Sequence, residues 1–470
     1  MAIKDKFSTP ENEAAGIIDE LSIDHHIQVE FPNLASSNGE DVNLSMSEYA
    51  AGAGIAAGAP IKFSDMFGQA REAIYHTALA TTINTYYGYI NFGRSVAIDG
   101  ETMVIGAASD FDNGDFSGSA FIYTRTGGAN GTWSLQQKIT ASDGAAHDNF
   151  GNSVSIDGNT VVVGAYVNSF SSPSREGRAY VFVRNGTTWT QQQKLTASDF
   201  TFGDYFGVTT DISGDTVVVG ALSDDHTNKV NAGSAYVYVR NGTTWTQQQK
   251  LIASDPATND QFGMRVAIDS NTIVIGAPYD DDLGSFSGSV YIFARNGTTW
   301  TQQKKLNSNA AQGIGNYDNF GSSVDIHGDT AVLGAIGAGN GEVHVYTRTG
   351  TNWFLQQKLS ASDGVLFDSF GQSVAIYDDV VVIGAVGDDD NGDRSGSAYV
   401  FTRNGTTWTQ QQKLLSNSGN HTNDAFFGES IAVSGLVSVV GAPSPVDYEP
   451  PGSAYIFRSG KDTWKGPVEY

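Results

Sequence analysis

The pair Phe-Gly occurs seven times in one context, at Phe92, Phe150, Phe206, Phe262, Phe320, Phe370 and Phe427. Successive copies are 58, 56, 56, 58, 50 and 57 residues apart. Fourteen residues after each Phe comes the Gly of a Gly-Ala pair, at Gly106, Gly164, Gly220, Gly276, Gly334, Gly384 and Gly441, and this offset never varies. The chain has seven Trp, one per copy: Trp133, Trp189, Trp245, Trp300, Trp353, Trp408 and Trp464. An Arg closes the run before each Trp, at Arg125, Arg184, Arg240, Arg295, Arg348, Arg403 and Arg458. Four independent markers count the same seven units. A 470-residue chain can hold two or three unrelated domains, but a repeat array can fill that length as one body.

Each unit reads as four strands. In the second copy "SVSID" alternates, "TVVVGA" is a continuous apolar run, "RAYVFVR" alternates again and "TWTQQQKLTA" is the most polar. A continuous apolar run is the pattern of a strand covered on both faces. "DGN" and "NGTT" supply the tight turns between the first and last pairs. The gradient predicts an all-β fold: a seven-bladed β-propeller of four-stranded antiparallel blades over residues 91–470, with Trp464 on the last blade. An open solenoid is the alternative, but it needs polar terminal caps, and the first and seventh copies are not polar. Gly permits close backbone approach and Phe buries a large area, so the Phe-Gly and Gly-Ala pairs are expected to pack blade on blade.

At these residues the sequence resembles the FG-GAP repeat family, known from the seven-bladed head of integrin α chains and from many bacterial and viral surface proteins. The resemblance covers about residues 91–464 and implies the propeller; it says little of function, since one fold hosts many. Several integrin-type copies carry an Asp- and Asn-rich calcium loop between Phe-Gly and Gly-Ala-Pro. Here that interval holds only "RSVAIDGETMVI" and its equivalents, so those calcium sites are not carried over.

Antiparallel strands place the first-to-second and third-to-fourth turns on one face, and the second-to-third loops with the blade-to-blade links on the other. The first face is monotonous. The second varies, with loops such as "ASDFDNGDFSG", "YVNSFSSPSREG", "IGAGNG" and "PSPVDYEPPG". Loops on a rigid scaffold are where binding concentrates. The seven Arg, with Lys138, Lys194, Lys250, Lys305, Lys358 and Lys413 five residues after Trp, make 13 of the 26 positive charges. Assigned to the scaffold, they leave the variable face especially acidic. Two loops match each other, Asp110-x-Asp112-Asn113-Gly114-Asp115 and Asp388-x-Asp390-Asn391-Gly392-Asp393. Carboxylates around a Gly turn offer oxygen ligands to Ca²⁺; the competing reading is a solvated acidic turn. Asp280 and Asp282 form a third such group.

No catalytic residue is singled out, no cofactor is required, and no nucleophile-elbow, phosphate-loop or zinc signature is present. A carboxylate pair from different blades would make a glycan-cleaving enzyme, the least favoured reading. His25 and His26 form a solvated dipeptide, and the Asn-Gly-Thr sequons at Asn185, Asn241, Asn296 and Asn404 are turn residues first. The net charge of −25 makes nucleic acid and anionic membranes poor partners. No apolar run reaches 18 residues, so no membrane-inserting helix is expected, and the absence of Cys excludes disulfides and thiolate metal sites.

Residues 1–68 lack the repeat. "VNLSMSEY" and "IKFSDMFG" are similar words around a small-residue linker. They resemble a short segment of tail and fibre proteins of tailed bacteriophages, where such a phrase precedes an aromatic-Gly pair. The resemblance implies an anchor to other virion proteins and a virion location. The first residues carry no apolar signal core, which suits release by lysis. Residues 69–90 read either as an extra outer strand that overlaps the ring closure or as a connector, since Tyr75 precedes Phe92 by the usual Trp-to-Phe distance of 17. The expectation is a phage attachment protein binding a host surface glycan or protein through the variable face. A bacterial surface adhesion protein is the alternative, with the cell surface as its location.

Overall fold

Hydrophobicity along the four runs of a repeat sets the order of its strands. In blade 2 the strands Ser153–Asp157, Thr160–Ala165, Arg178–Asn185 and Thr188–Leu195 pair antiparallel in chain order. Every residue of the second strand is buried, whereas the fourth exposes Thr188 and Thr190 around a buried Trp189. The most apolar strand is therefore central and the most polar one forms the rim. Blades 1 and 3 to 6 repeat this order, with first strands at Phe92–Asp99, Phe206–Ser213, Arg265–Asp269, Phe320–His327 and Phe370–Tyr377.

The structure, a computed structural model, describes residues 20–21, 28–35, 41–45, 61–62, 72–75, 90–126, 132–167, 176–226, 228–308, 317–416, 425–443 and 452–458. All elements among them are strands, and none is a helix long and apolar enough to cross a membrane. The chain divides into two compact units, Ala70–Arg458 and Met1–Gln69 with Ser459–Tyr470.

The larger unit is a closed seven-bladed propeller with the first strands around its axis. Closure is visible in the core shared by blades 7 and 1, where Val437, Val439 and Ile456 join Met103, Phe121 and Trp133. At the same seam the Ser430 hydroxyl donates to the Gly93 carbonyl at 2.8 Å. Neighbouring blades touch backbone to backbone at the marker glycines. A Cβ on Gly220 would lie 2.0 Å from the Gly263 carbonyl oxygen, and one on Gly441 would lie 2.1 Å from that of Gly93. Gly93 itself has φ +90°, which an L side chain rarely adopts. The seven Phe of the marker pairs are fully buried, and Phe92 meets Phe121 edge to face at 5.3 Å.

The rim explains the polar fourth strand. Gln137 of blade 1 clasps the backbone of Trp189 in blade 2, accepting from its N–H at 2.7 Å and donating to its carbonyl at 2.9 Å. Gln193 holds Trp245 in the same way, Gln249 holds Trp300 and Gln357 holds Trp408. The repeated Arg then crosses back: Arg240 stacks over Trp245 at 5.2 Å and donates to Thr160 of the preceding blade at 3.1 Å. The "TWTQQQKL" phrase thus encodes blade-to-blade hydrogen bonds, each adding about 1 kcal/mol.

Blade 7 draws on a distant part of the chain. Its strands Ser430–Ser434, Val437–Ala442 and Ser453–Arg458 take their fourth partner from Glu72–Tyr75, with Ser453 opposite Tyr75. Of the two readings of residues 69–90, the overlapping outer strand holds over 72–75. The outer position of the last blade is filled from the N-terminal side; Trp464, expected there, lies outside the described residues. Joining both ends of the propeller in one sheet avoids leaving a strand edge open. In the smaller unit, Glu20–Leu21 pairs with Ile61–Lys62, and Gln28–Ala35 with Asp41–Ser45. The two similar words of the N-terminal segment thus begin on, or run through, a paired strand.

A chain starting at residue 76 loses this fourth strand, whereas one starting at residue 70 keeps it. The first should melt at a lower temperature and aggregate through the bared edge of Ser453–Arg458, and the second should match the full chain. Equal melting of the two truncations by scanning calorimetry would refute closure by Glu72–Tyr75.

Candidate functional site

On one face of the propeller the second-to-third loops of blades 1, 3, 4 and 6 lie against the link to the next blade, and loop and link zip together along their backbones. Between blades 1 and 2, His147 N donates to Asp115 O at 2.7 Å, Asn149 N to Phe116 O at 2.9 Å and Phe150 N to Ser117 O at 3.1 Å. Between blades 4 and 5, Tyr317 N donates to Ser285 O, Asn319 N to Phe286 O and Phe320 N to Ser287 O, at 2.7, 2.9 and 3.1 Å. At these four junctions the variable face is built of backbone ladders.

The ladders hold bulky residues in a left-handed backbone: Phe116 at φ 55°, His147 at 65°, Phe286 at 52°, Tyr317 at 71°, Arg394 at 47° and Phe426 at 50°. Such conformations are costly for large side chains and persist where the surroundings impose them, most often at functional sites. They set the side chains in outward pairs. Phe116 stacks on His147 at 5.7 Å, Phe286 meets Tyr317 at 5.6 Å and Arg394 lies over Phe426 at 5.4 Å.

Beneath the pairs sit the carboxylates singled out in the sequence. Lys138 Nζ lies 2.7 Å from Asp110 and 2.6 Å from Asp112. Lys413 Nζ lies 2.9 Å from Asp363, 2.7 Å from Asp388 and 2.5 Å from Asp390. Lys305 gathers Asp255, Asp280 and Asp282 in the same way, at 2.9, 2.8 and 2.6 Å. The structure thus joins Asp110 to Asp112 and Asp388 to Asp390 through an ammonium group. Asp115 and Asp393 are exposed and join no ion pair among the described residues. Among the described residues no group of three or more His, Cys, Asp or Glu is arranged to hold a metal ion. A Ca²⁺ ion taking these oxygens has to displace the lysine.

Electrostatics follow from that geometry. Burial works against the charge of Lys413, but the hydrogen bonds it donates to three carboxylates outweigh that and hold the ammonium well above its ordinary pKa. Burial likewise pushes the Asp363 carboxyl up, yet Lys413 and Tyr399 hold it below the usual range. Lysines assigned to the scaffold therefore offset part of the loop charge, one ammonium to two or three carboxylates, and the face is less acidic than its Asp content suggests. Comparison among the repeats carries the signal. Blade 5 has no carboxylate in its loop "IGAGNG", yet Glu342 stands where blades 1, 3, 4, 6 and 7 have Ser, and Lys358 takes it at 2.9 Å. His344, then Lys358, draw the Glu342 pKa down to about 2 against the effect of burial.

At the axis the same face opens into a cavity of about 580 Å³ formed by the starts of the first strands. Its walls carry Arg94, Arg265, Tyr166, Tyr205, Asn152 and Gln372 among small hydroxyl and aliphatic residues. The Arg94 guanidinium is paired with Glu429 across the seam of blades 1 and 7. Sequence reading missed this mouth, since its residues are isolated positions some 56 residues apart.

A model of the FG-GAP repeat matches the sequence seven times, over residues 88–123, 133–182, 189–238, 245–293, 300–346, 353–401 and 408–457. The chain belongs to the FG-GAP repeat family. A search of curated proteins found no match. The seven FG-GAP matches correspond to the seven blades, and each after the first runs from the outer-strand Trp of one blade into the third strand of the next. The FG-GAP unit is thus offset from the blade, and the loop-face ladders join one unit to the next. Loop-face residues 168–175, 309–316, 417–424 and 444–451, with the His25–His26 pair, lie outside the described residues.

Asp388 is 3% exposed, so Lys413→Met leaves a buried carboxylate without its cation. The expected cost is about 3 kcal/mol, read as a lower melting temperature. Millimolar Ca²⁺ should recover part of that loss in the variant and leave the parent unchanged. Equal stabilisation of parent and variant would show that the ammonium is not the resident cation.

Proposed function

We propose that this FG-GAP protein is a non-catalytic attachment component of a bacteriophage particle. Its loop face engages a glycan or protein of the host surface, and residues 1–68 join it to other virion proteins. The observation that carries the binding half is where exposed apolar side chains lie. Of thirteen exposed large hydrophobics among the described residues, eight stand on the loop face: Phe116, Phe202, Val230, Phe286, Tyr317, Val365, Leu366 and Phe367. The opposite face has one, Leu436. Scattered surface apolar residues are ordinary; a concentration on one face, on strained and rigid loops, marks an interaction surface. Phe367 is 85% exposed beside Leu366 at 64% and Val365 at 59%, the most prominent apolar tip on that face.

Support for the virion half is the resemblance of the two N-terminal words to tail and fibre segments, together with a net charge that disfavours nucleic acid. Membership of the FG-GAP family favours a second reading, a bacterial surface adhesion protein with an integrin-like head. The two readings share the binding face and differ in what the N-terminal segment joins.

Replacing Val365, Leu366 and Phe367 together by Ser should cut adsorption to host cells by about tenfold or more, while Leu436→Ser on the other face leaves it unchanged. Both variants should melt like the parent. Deleting residues 1–68 should abolish incorporation into particles without abolishing cell binding. Unchanged adsorption in the triple variant would remove the loop face from the reading, and particles that assemble without residues 1–68 would remove the anchor.

A further inference from the structure

The third residue after each marker Phe faces the axis, and six of the seven are hydroxyl residues: Ser95, Ser153, Thr209, Ser323, Ser373 and Ser430. Four of them brace the ring. Ser95 donates to the Gly151 carbonyl at 2.8 Å, Ser323 to Gly371 at 2.7 Å, Ser373 to Gly428 at 2.7 Å and Ser430 to Gly93 at 2.8 Å. Blade 4 departs from the rule and has Arg265. A guanidinium replaces a small hydroxyl at a position where the hydroxyl stabilises the scaffold. Local departures of that kind cluster at functional sites.

The side chain lines the cavity at the loop-face mouth of the channel. Three charged residues line that cavity, and Arg94 and Glu429 neutralise each other. Among the described residues Arg265 joins no ion pair, and its guanidinium donates one hydrogen bond, to the Met264 carbonyl at 3.0 Å. Burial first, then the like charge of Arg94, lower its pKa, and the attraction of the Glu429 carboxylate only partly opposes them. The other walls are of a different character. Tyr166 and Tyr205 form a tilted pair at 5.8 Å, and the amides of Asn152 and Gln372 stand among hydroxyl residues.

We propose that this mouth, centred on Arg265, binds a carboxylate-bearing sugar residue of a surface glycan. A guanidinium with four N–H donors to spare pairs bidentately with a carboxylate. A tyrosine pair offers an apolar platform to the face of a sugar ring, and amides and hydroxyls meet its hydroxyl groups. The cavity is of the size that takes a small molecule. An Asp or Glu side chain of a peptide would satisfy the arginine but fill little of the space. Strands on all sides of the axis make the mouth a cup, suited to a terminal or branch unit rather than to a chain lying flat. The proposal rests on the reading of the loop face as an attachment surface and names its ligand.

The test uses the full chain and isothermal titration with five probes: a hexuronate oligosaccharide, a nonulosonate trisaccharide, the neutral counterpart of each and a Glu-rich peptide. At least one acidic sugar should bind, more weakly as salt rises from about 50 to about 500 mM. Arg265→Ser, which restores the hydroxyl of the other blades, should weaken that binding about tenfold or more without lowering the melting temperature. Tyr166→Ala should weaken it as well, and the neutral sugars should bind poorly to every form. Binding of neither acidic sugar, or acidic-sugar binding indifferent to Arg265→Ser, overturns the proposal, as does a peptide bound more tightly than both sugars. Host adsorption separates the two readings. If the Val365–Phe367 variant fails to adsorb but no acidic sugar binds, the attachment surface stands and the sugar site falls. If acidic sugars bind through Arg265 but neither variant alters adsorption, the sugar site stands and the attachment reading falls.

Discussion

Backbone contact between glycines of neighbouring blades is the constraint on which the propeller depends. The Gly of each Gly-Ala pair sits where any Cβ would meet, at 2.0 to 2.3 Å, the carbonyl oxygen of the Gly that follows the next marker Phe. The contact recurs seven times and includes the seam between Gly441 and Gly93. At that separation the blades are locked at the axis, the Phe fall into the spaces between sheets, and the rim is left to be held by Gln–Trp and Arg–Thr hydrogen bonds. Packing this tight leaves little room for adjustment. The loops inherit the rigidity, which lets Phe116, Phe286 and Tyr317 keep backbone conformations that a looser frame would release.

The repeat made most of this legible. Four markers in constant register fixed the number of blades, the order of strands and which face varies, because each marker has one physical duty per blade. The fourth strand of blade 7 was harder to read. Glu72–Tyr75 carries no Trp and none of the Gln that mark the other rim strands, and its partner lies some 380 residues away. The candidate site was legible only in part. Sequence placed Asp110, Asp112, Asp388 and Asp390 in the right loops but gave no hint that a lysine from the fourth strand reaches them. Lys413 is 23 residues from Asp390 and stands opposite Tyr399, and only strand pairing brings the three together. Glu342 and Lys358 show how it can be found: where the loop acid is missing, the neighbouring strand supplies one to the same lysine.

These clusters change the picture of the loop face. An ammonium group sits among oxygens that the sequence alone offers to a metal ion, and it comes from the chain itself. The lysine ties the loop of its own blade to the link from the preceding one, as Lys413 does with Asp388 and Asp363. Part of the charge on the face is thus spent on internal pairing. The same face also carries the apolar tip at Val365–Phe367, the outward aromatic pairs and, at the axial mouth, Arg265 outside any ion pair among the described residues.

The glycine contact can be tested by adding one methyl group. Gly276 has no left-handed backbone to excuse it, yet a Cβ there would lie 2.1 Å from the Gly321 carbonyl oxygen, whereas a Cβ on Gly242 in a rim turn would meet nothing within 4 Å. Scanning calorimetry of Gly276→Ala beside Gly242→Ala measures the difference. If blade contact governs the ring, Gly276→Ala loses about 3 kcal/mol or more, while Gly242→Ala loses about 1 kcal/mol from backbone strain alone. Equal losses would contradict it, and the blades would then be held by their side chains rather than by their glycines.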